Sequence, residues 1–181
     1  MATAATADAG RGGQRDAVTA PEDGRVTGPY ADAVQLAPFA DLDARTAYWL
    51  WQLRVDVFVV EQHCVYRELD GRDLETGTRH VWAQRDGAPV GYLRVLSEPD
   101  GARRIGRVCV AAPARGQGWA GAMMRRALHE VGGRRCVLDA QAHLAAWYAR
   151  WGFAATGPEF LDDGIPHVPM ERRDLGRPGL P

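Results

Sequence analysis

Between Val108 and Ala120 the sequence reads Val-Cys-Val-Ala-Ala-Pro-Ala-Arg-Gly-Gln-Gly-Trp-Ala. The pattern is an apolar strand, a tight turn with glycines, and the start of a helix. The first N–H groups of a helix have no partner within it and lie at the positive end of its dipole, so they attract an anion. Gly116 and Gly118 lack a Cβ and let backbone come close to a bulky ligand, Ala120 keeps the helix start slim, and Arg115 adds a permanent charge. Arg115, Gly116, Gln117, Gly118, Trp119 and Ala120 are therefore a candidate anion seat. A plain strand-to-helix turn with glycines for geometry alone would carry the same residues. No Gly-Lys-Ser/Thr follows, which excludes a phosphate P-loop, and the three-glycine dinucleotide spacing is absent.

Other chemistry finds less support. His63 and Cys64 are adjacent, but sequence neighbours point in different directions, so they do not make a nucleophile and its base. The three cysteines, Cys64, Cys109 and Cys136, are few and scattered, which argues against a disulfide framework and fits a reducing compartment. No Cys-x-x-Cys pair points to zinc, and no metal is expected. The arginine pairs at 103–104, 125–126, 134–135 and 172–173 are dispersed among acids. With a formal net charge of -1, they read as solvated surface rather than a nucleic-acid footprint. No stretch is apolar enough for a signal-peptide core or a membrane span, so a cytoplasmic protein is expected, with no membrane partner.

The elements that must position the loop can be read from periodicity. Val34-Gln35-Leu36 predicts a strand. Asp41 or Asp43 caps a helix whose apolar stripe is Leu50, Leu53, Val57 and Val60. Residues 64–78 read as a loop. Three strands follow, over 78–84, 89–96 and 103–110, divided by Asp86-Gly87 and Pro99-Asp100-Gly101. Val90, Tyr92 and Arg94 are expected on one face, and the third strand is expected to alternate cleanly. Ala120, Met123, Met124, Ala127, Leu128 and Val131 make a helical stripe ended by Gly132-Gly133. A buried strand at 136–138, a second amphipathic helix over 142–151 and two closing strands complete the order. Helices joining late strands imply a mixed sheet, giving an α/β (α+β) class. Residues 1–30 read as a disordered tail, 31–175 as one domain and 176–181 as a flexible tail.

Arg115-x-x-Gly118-x-Ala120, after an apolar strand and Pro113, resembles the acyl-CoA loop of the GNAT superfamily, the Gcn5-related N-acetyltransferases. Tyr148-Ala149-Arg150-Trp151-Gly152-Phe153, downstream at the matching distance, is similar to that family's second cofactor segment. The resemblance covers about residues 32 to 173. Val59-Val60-Glu61-Gln62, Tyr66, Asp70-Gly71-Arg72-Asp73, Arg79-His80, Gln141-Ala142-His143-Leu144 and the 164–170 segment resemble the ElaA-like branch.

The resemblance implies a central splayed β-sheet flanked by helices, and acetyl-CoA as co-substrate with no metal. It implies that the backbone of Val108, Cys109 and Val110 meets the pantetheine arm, with an N–H near Val110 polarising the thioester carbonyl. Arg115 to Ala120 would hold the pyrophosphate. Gln141 stands where the family usually has Asn, as a further cofactor contact. From spacing alone Tyr148 reads as a core aromatic beside Leu144 and Trp151, but it matches the tyrosine that protonates the departing thiolate in the family, and the resemblance implies that role. A base must take the amine's proton, and His80 or Glu61 is preferred over Asp70, Asp73, His167 and Asp139. The acceptor would be a small-molecule amine or a peptide N-terminus, leaving monomer or homodimer open. The chain has no lysine to acylate on itself. A non-catalytic acyl-CoA sensor or scaffold is the alternative.

Overall fold

The computed structural model describes residues 30–173. The expected tails lie outside the described residues, apart from Tyr30. That residue is held against Trp119, with ring centroids 4.3 Å apart.

The described residues form eight strands and three α-helices. They are β1 (Val34–Ala37), α1 (Ala44–Arg54), β2 (Arg79–Arg85), β3 (Ala88–Ser97), β4 (Arg103–Val110) and α2 (Trp119–Val131), then β5 (Cys136–Gln141), α3 (Ala145–Ala149), β6 (Ala154–Ala155), β7 (Phe160–Asp162) and β8 (Ile165–Arg172). Asp43 caps α1, its Oδ1 accepting from the N–H groups of Arg45 (2.9 Å) and Thr46 (3.0 Å). The β2–β3 turn has positive φ at both Asp86 (54°) and Gly87 (79°), the geometry of a two-residue hairpin.

The strands form one mixed sheet in the order β1-β2-β3-β4-β5-β8-β6, with β7 pairing β8. Every pair is antiparallel except β4 with β5. One face carries the larger core: Val81, Leu93, Val95 and Ile105 of the sheet under Met123, Met124, Ala127 and Leu128 of α2, extended by Trp147, Tyr148 and Trp151 around α3. On the opposite face, Leu50, Leu53, Val57 and Phe58 pack on Trp82, Tyr92 and Cys109.

Several expectations are corrected by departures from regular geometry. After Arg54 the first helix widens into π-type turns over Val55–Glu61. The extra residue per turn brings Val57 and Phe58 together into the core and swings Val60 out, 61% exposed. In β3, Gly91 pairs with Ala83 and Pro89 with Gln84, so Val90 is a bulge residue. It turns into the α2-side core, opposite to Tyr92. β4 does not alternate cleanly either. Cys109 faces Tyr92 and Gly106 faces Arg94, leaving Arg107 and Val108 against the single residue Leu93. Arg107 takes φ 56° there. The helix expected over 142–151 is a 3-10 turn (Ala142–Leu144) followed by the five residues of α3. Three strands, not two, close the chain, because Asp163 and Gly164, both at positive φ, fold β7 back on β8.

The 64–78 loop carries charge inward. Arg54, fully buried, donates from Nε to Glu68 (2.6 Å), from Nη1 to Asp73 (2.9 Å) and from Nη2 to the Glu68 carbonyl (2.9 Å). Arg94 binds Asp70 (2.7 and 2.8 Å) and Asp73 (3.0 Å). Beside them His80 is buried, Nδ1 2.8 Å from the Tyr92 hydroxyl and Nε2 3.2 Å from the Asp73 carbonyl. A carbonyl only accepts, so Nε2 carries the proton and Nδ1 accepts from Tyr92.

Burial lowers the His80 pKa below its ordinary 6.5, outweighing the attraction of Asp73. A histidine depressed in the folded state takes up its proton more readily when unfolded, so its contribution is full above about pH 6.5 and is lost as pH falls below that. Urea midpoints of the wild-type chain should therefore decline between pH 7 and pH 5.5 more steeply than those of His80→Gln. Parallel slopes would refute this.

Candidate active site

β4 and β5 pair only at Arg103–Cys136 and Arg104–Val137, then diverge. The divergence opens a cleft of about 270 Å³. Its floor is Ile105, Gly106, Arg107 and Val108 of β4 against Leu138, Asp139 and Gln141 of β5. Tyr148 enters from α3. Cys64, Tyr66, Asp70 and Arg72 form one wall, and Asp162, Ile165 and His167 of the β7–β8 hairpin form the other. The β4 bulge aims both Arg107 and Val108 at this space.

Tyr148 is buried against Trp147 (4.9 Å between centroids) and Phe153 (6.2 Å) while still lining the cleft. Burial holds its phenol pKa well above the ordinary 10, so it stays a proton donor at physiological pH. On the hairpin wall, His167 Nδ1 lies 2.8 Å from the Ile165 carbonyl and therefore donates to it. That leaves Nε2 as the acceptor nitrogen. Asp70 is pushed upward by burial, but the hydrogen bonds and charge of Arg94 prevail and hold it down at about 2. Asp139 is paired to Arg104 at 2.7 Å.

β4 runs out of the cleft into the glycine loop. Gly116 (φ 75°) and Gly118 (φ 86°) are left-handed, and Gly118 is the N-cap of α2 with no side-chain cap. The backbone N–H groups of Gly116 to Ala120 have no backbone acceptor among the described residues. A Cβ on Gly116 would meet nothing within 4 Å, so the loop is open on that side. These residues fit an anion held by backbone N–H groups at the start of a thirteen-residue helix.

The Acetyltransferase (GNAT) domain family matches residues 50–173. The UPF0039 protein Rv2851c of Mycobacterium tuberculosis is 54% identical over 141 residues, covering 76% of this chain and 90% of that protein. The chain belongs to the GNAT acetyltransferase family. ElaA of Escherichia coli is 37% identical over 139 residues, covering 74% of this chain and 91% of ElaA. The ElaA crystal structure superposes with a TM-score of 0.73 and covers 77% of this chain and 98% of ElaA. The crystal structure of an acyl-CoA N-acyltransferase from Pseudomonas aeruginosa gives a TM-score of 0.73 at 43% identity, covering 77% of this chain and 98% of that one.

Within this GNAT domain the expected site residues separate into three groups. Val108, Gln141 and Tyr148 meet at the cleft. Gly116, Gln117, Gly118, Trp119 and Ala120 stand together at the α2 N-terminus, outside the cleft lining. Cys109 and Val110 fill opposite cores, so only their backbone is placed to act, and burial pushes the Cys109 thiol up to about 12.

The two preferred base candidates lie away from the cleft. His80 lies in the α1-side core with both ring nitrogens engaged and does not line the cleft. Glu61 is also outside the lining, and it forms a bidentate pair with Arg115 at 2.9 and 2.7 Å. Arg115 is engaged with it. Its Nε donates to the Val110 carbonyl (3.0 Å), so the guanidinium ties the end of β4 to the π-helical turns, and its charge is already matched. What the loop still offers an anion is its backbone N–H groups and the helix dipole. The cleft position of Arg107 was missed. Gly106 inside a strand pattern was a signal for the bulge that aims Arg107.

Among the described residues no group of three or more His, Cys, Asp or Glu is arranged to hold a metal ion, and no helix is long and apolar enough to cross a membrane.

Proposed function

We propose that this chain transfers an acetyl group from acetyl-CoA to a primary amine, on a small molecule or a peptide N-terminus. The observation carrying the proposal is the break in β4–β5 pairing, which leaves strand backbone free beside Tyr148 and within one loop of an anion-binding helix start. When bound, acetyl-CoA supplies the activated thioester.

The protein's own groups take the remaining roles. The open backbone edge around Val108 to Val110 binds the arm's amides, and an N–H near Val110 polarises the thioester carbonyl. Gln141, held by its Nε2 donating to Gln62 Oε1 at 3.1 Å, marks the β5 side. Residues 116–120 hold the pyrophosphate through their N–H groups. Tyr148, kept neutral by burial, gives its proton to the leaving sulfur. His167 Nε2 takes the amine's proton in place of His80 or Glu61, since His167 lines the cleft and its other nitrogen is anchored. Three unpaired, buried thiols fit a reducing compartment and support a cytoplasmic location.

Thiol release from acetyl-CoA across a panel of primary amines tests this reading. Amine-dependent release is expected, and it should slow in His167→Gln. CoA binding without release for any amine would favour the sensor.

A further inference from the structure

Tyr30 lies upstream of the family-matched region, residues 50–173, yet it reaches the loop before α2. Its hydroxyl donates to the Gln117 carbonyl at 2.7 Å. Its ring packs on Trp119, and Cε2 stands 3.6 Å from where a Cβ on Gly118 would lie. The peptide joining Gln117 to Gly118 is trans, so its C=O and N–H point in opposite directions. Holding the carbonyl toward Tyr30 therefore aims the Gly118 N–H away from Tyr30, and no backbone acceptor among the described residues takes it. The side chain of Gln117 is fixed as well: Oε1 accepts from Arg85 (3.0 Å) and Nε2 donates to the Pro113 carbonyl (2.9 Å). Glycine is the residue least able to hold a peptide orientation by itself, and Gly116 and Gly118 flank Gln117. A loop ordered in advance loses less entropy on binding.

We infer that Tyr30 is a positioning residue for the pyrophosphate, orienting the Gln117–Gly118 peptide so that the Gly118 N–H donates to the ligand. The inference rests on the acyl-CoA reading above. It extends the functional domain upstream of the matched region and gives a residue at its edge a part in donor affinity.

Tyr30→Phe removes only the hydroxyl and keeps the ring against Trp119. The full chain, wild type and variant, would be titrated with CoA, 3′-dephospho-CoA and pantetheine, with pantetheine followed by NMR. Loss of one hydrogen bond predicts that the variant binds CoA and dephospho-CoA about three- to tenfold more weakly. Pantetheine, which has no pyrophosphate, should bind both proteins equally. Equal CoA affinity in the two proteins would overturn the inference, and so would a weakening shared by pantetheine, which would make Tyr30 a general support of the fold. Failure of the wild-type chain to bind CoA would instead sink the acyl-CoA reading, and this inference with it.

Discussion

Replacing Tyr148 with phenylalanine should lower kcat for acetyl transfer by about 10²- to 10⁴-fold, the range for loss of a general acid. The affinity for CoA should change by no more than about twofold, because no binding group of the loop or of β4 is touched. The ring contacts with Trp147 and Phe153 survive the substitution, so the fold should survive as well. Removing a buried hydroxyl can even be neutral for stability. The check is steady-state kinetics beside CoA titration and thermal melting of the same preparation. A variant with wild-type kcat would reduce Tyr148 to a core aromatic. A variant with low kcat and a collapsed melting temperature would show only damage to packing.

The second large effect is on stability. Arg54→Met should destabilise the chain by about 3–5 kcal/mol, because Glu68 and Asp73 would keep their charges in the interior without their shared partner. For a domain of this size that corresponds to a fall in melting temperature on the order of 10 °C. The magnitude comes from uncompensated burial rather than from the worth of the ion pair itself. Changing Arg54, Glu68 and Asp73 together to apolar residues should therefore cost less than the three single losses summed. Urea unfolding of the single and triple variants measures both. A loss below about 1 kcal/mol in Arg54→Met would mean that Arg107 and Arg94, which already touch Glu68 and Asp73, absorb both charges.

Most of the architecture was legible because its signals are local. Asp43, the Asp86-Gly87 turn, the α2 stripe and the Gly132 stop each act within one or two turns of chain. The β4 limits coincide with the strand read from Arg103 to Val110. The misread features depend on non-local packing. The π-type turns answer to what Val57, Phe58 and Arg54 must reach across the sheet, and a 3.6-residue period carries no trace of that. The bulges at Val90 and Arg107 are set by pairing register, which belongs to two strands jointly. For the candidate site, the places of the loop and of Tyr148 follow a motif in the sequence. The places of His80, Glu61 and His167 do not, since the three differ only in what surrounds them once folded. Arg115 is the sharpest case: its charge is visible in sequence, its use by Glu61 is not.

The short β4–β5 pairing also bears on solubility. A strand edge with free N–H and C=O groups invites another chain to add to it. Here the outer edges are β1, of four residues, and β6 and β7, of two and three. Among the described strands, the long stretches without partners face each other inside the molecule. A foreign strand cannot enter a gap flanked by α3 and the β7–β8 hairpin without dismantling them. The sheet thus keeps its most adhesive backbone where other proteins cannot reach it, and only a slender molecule can.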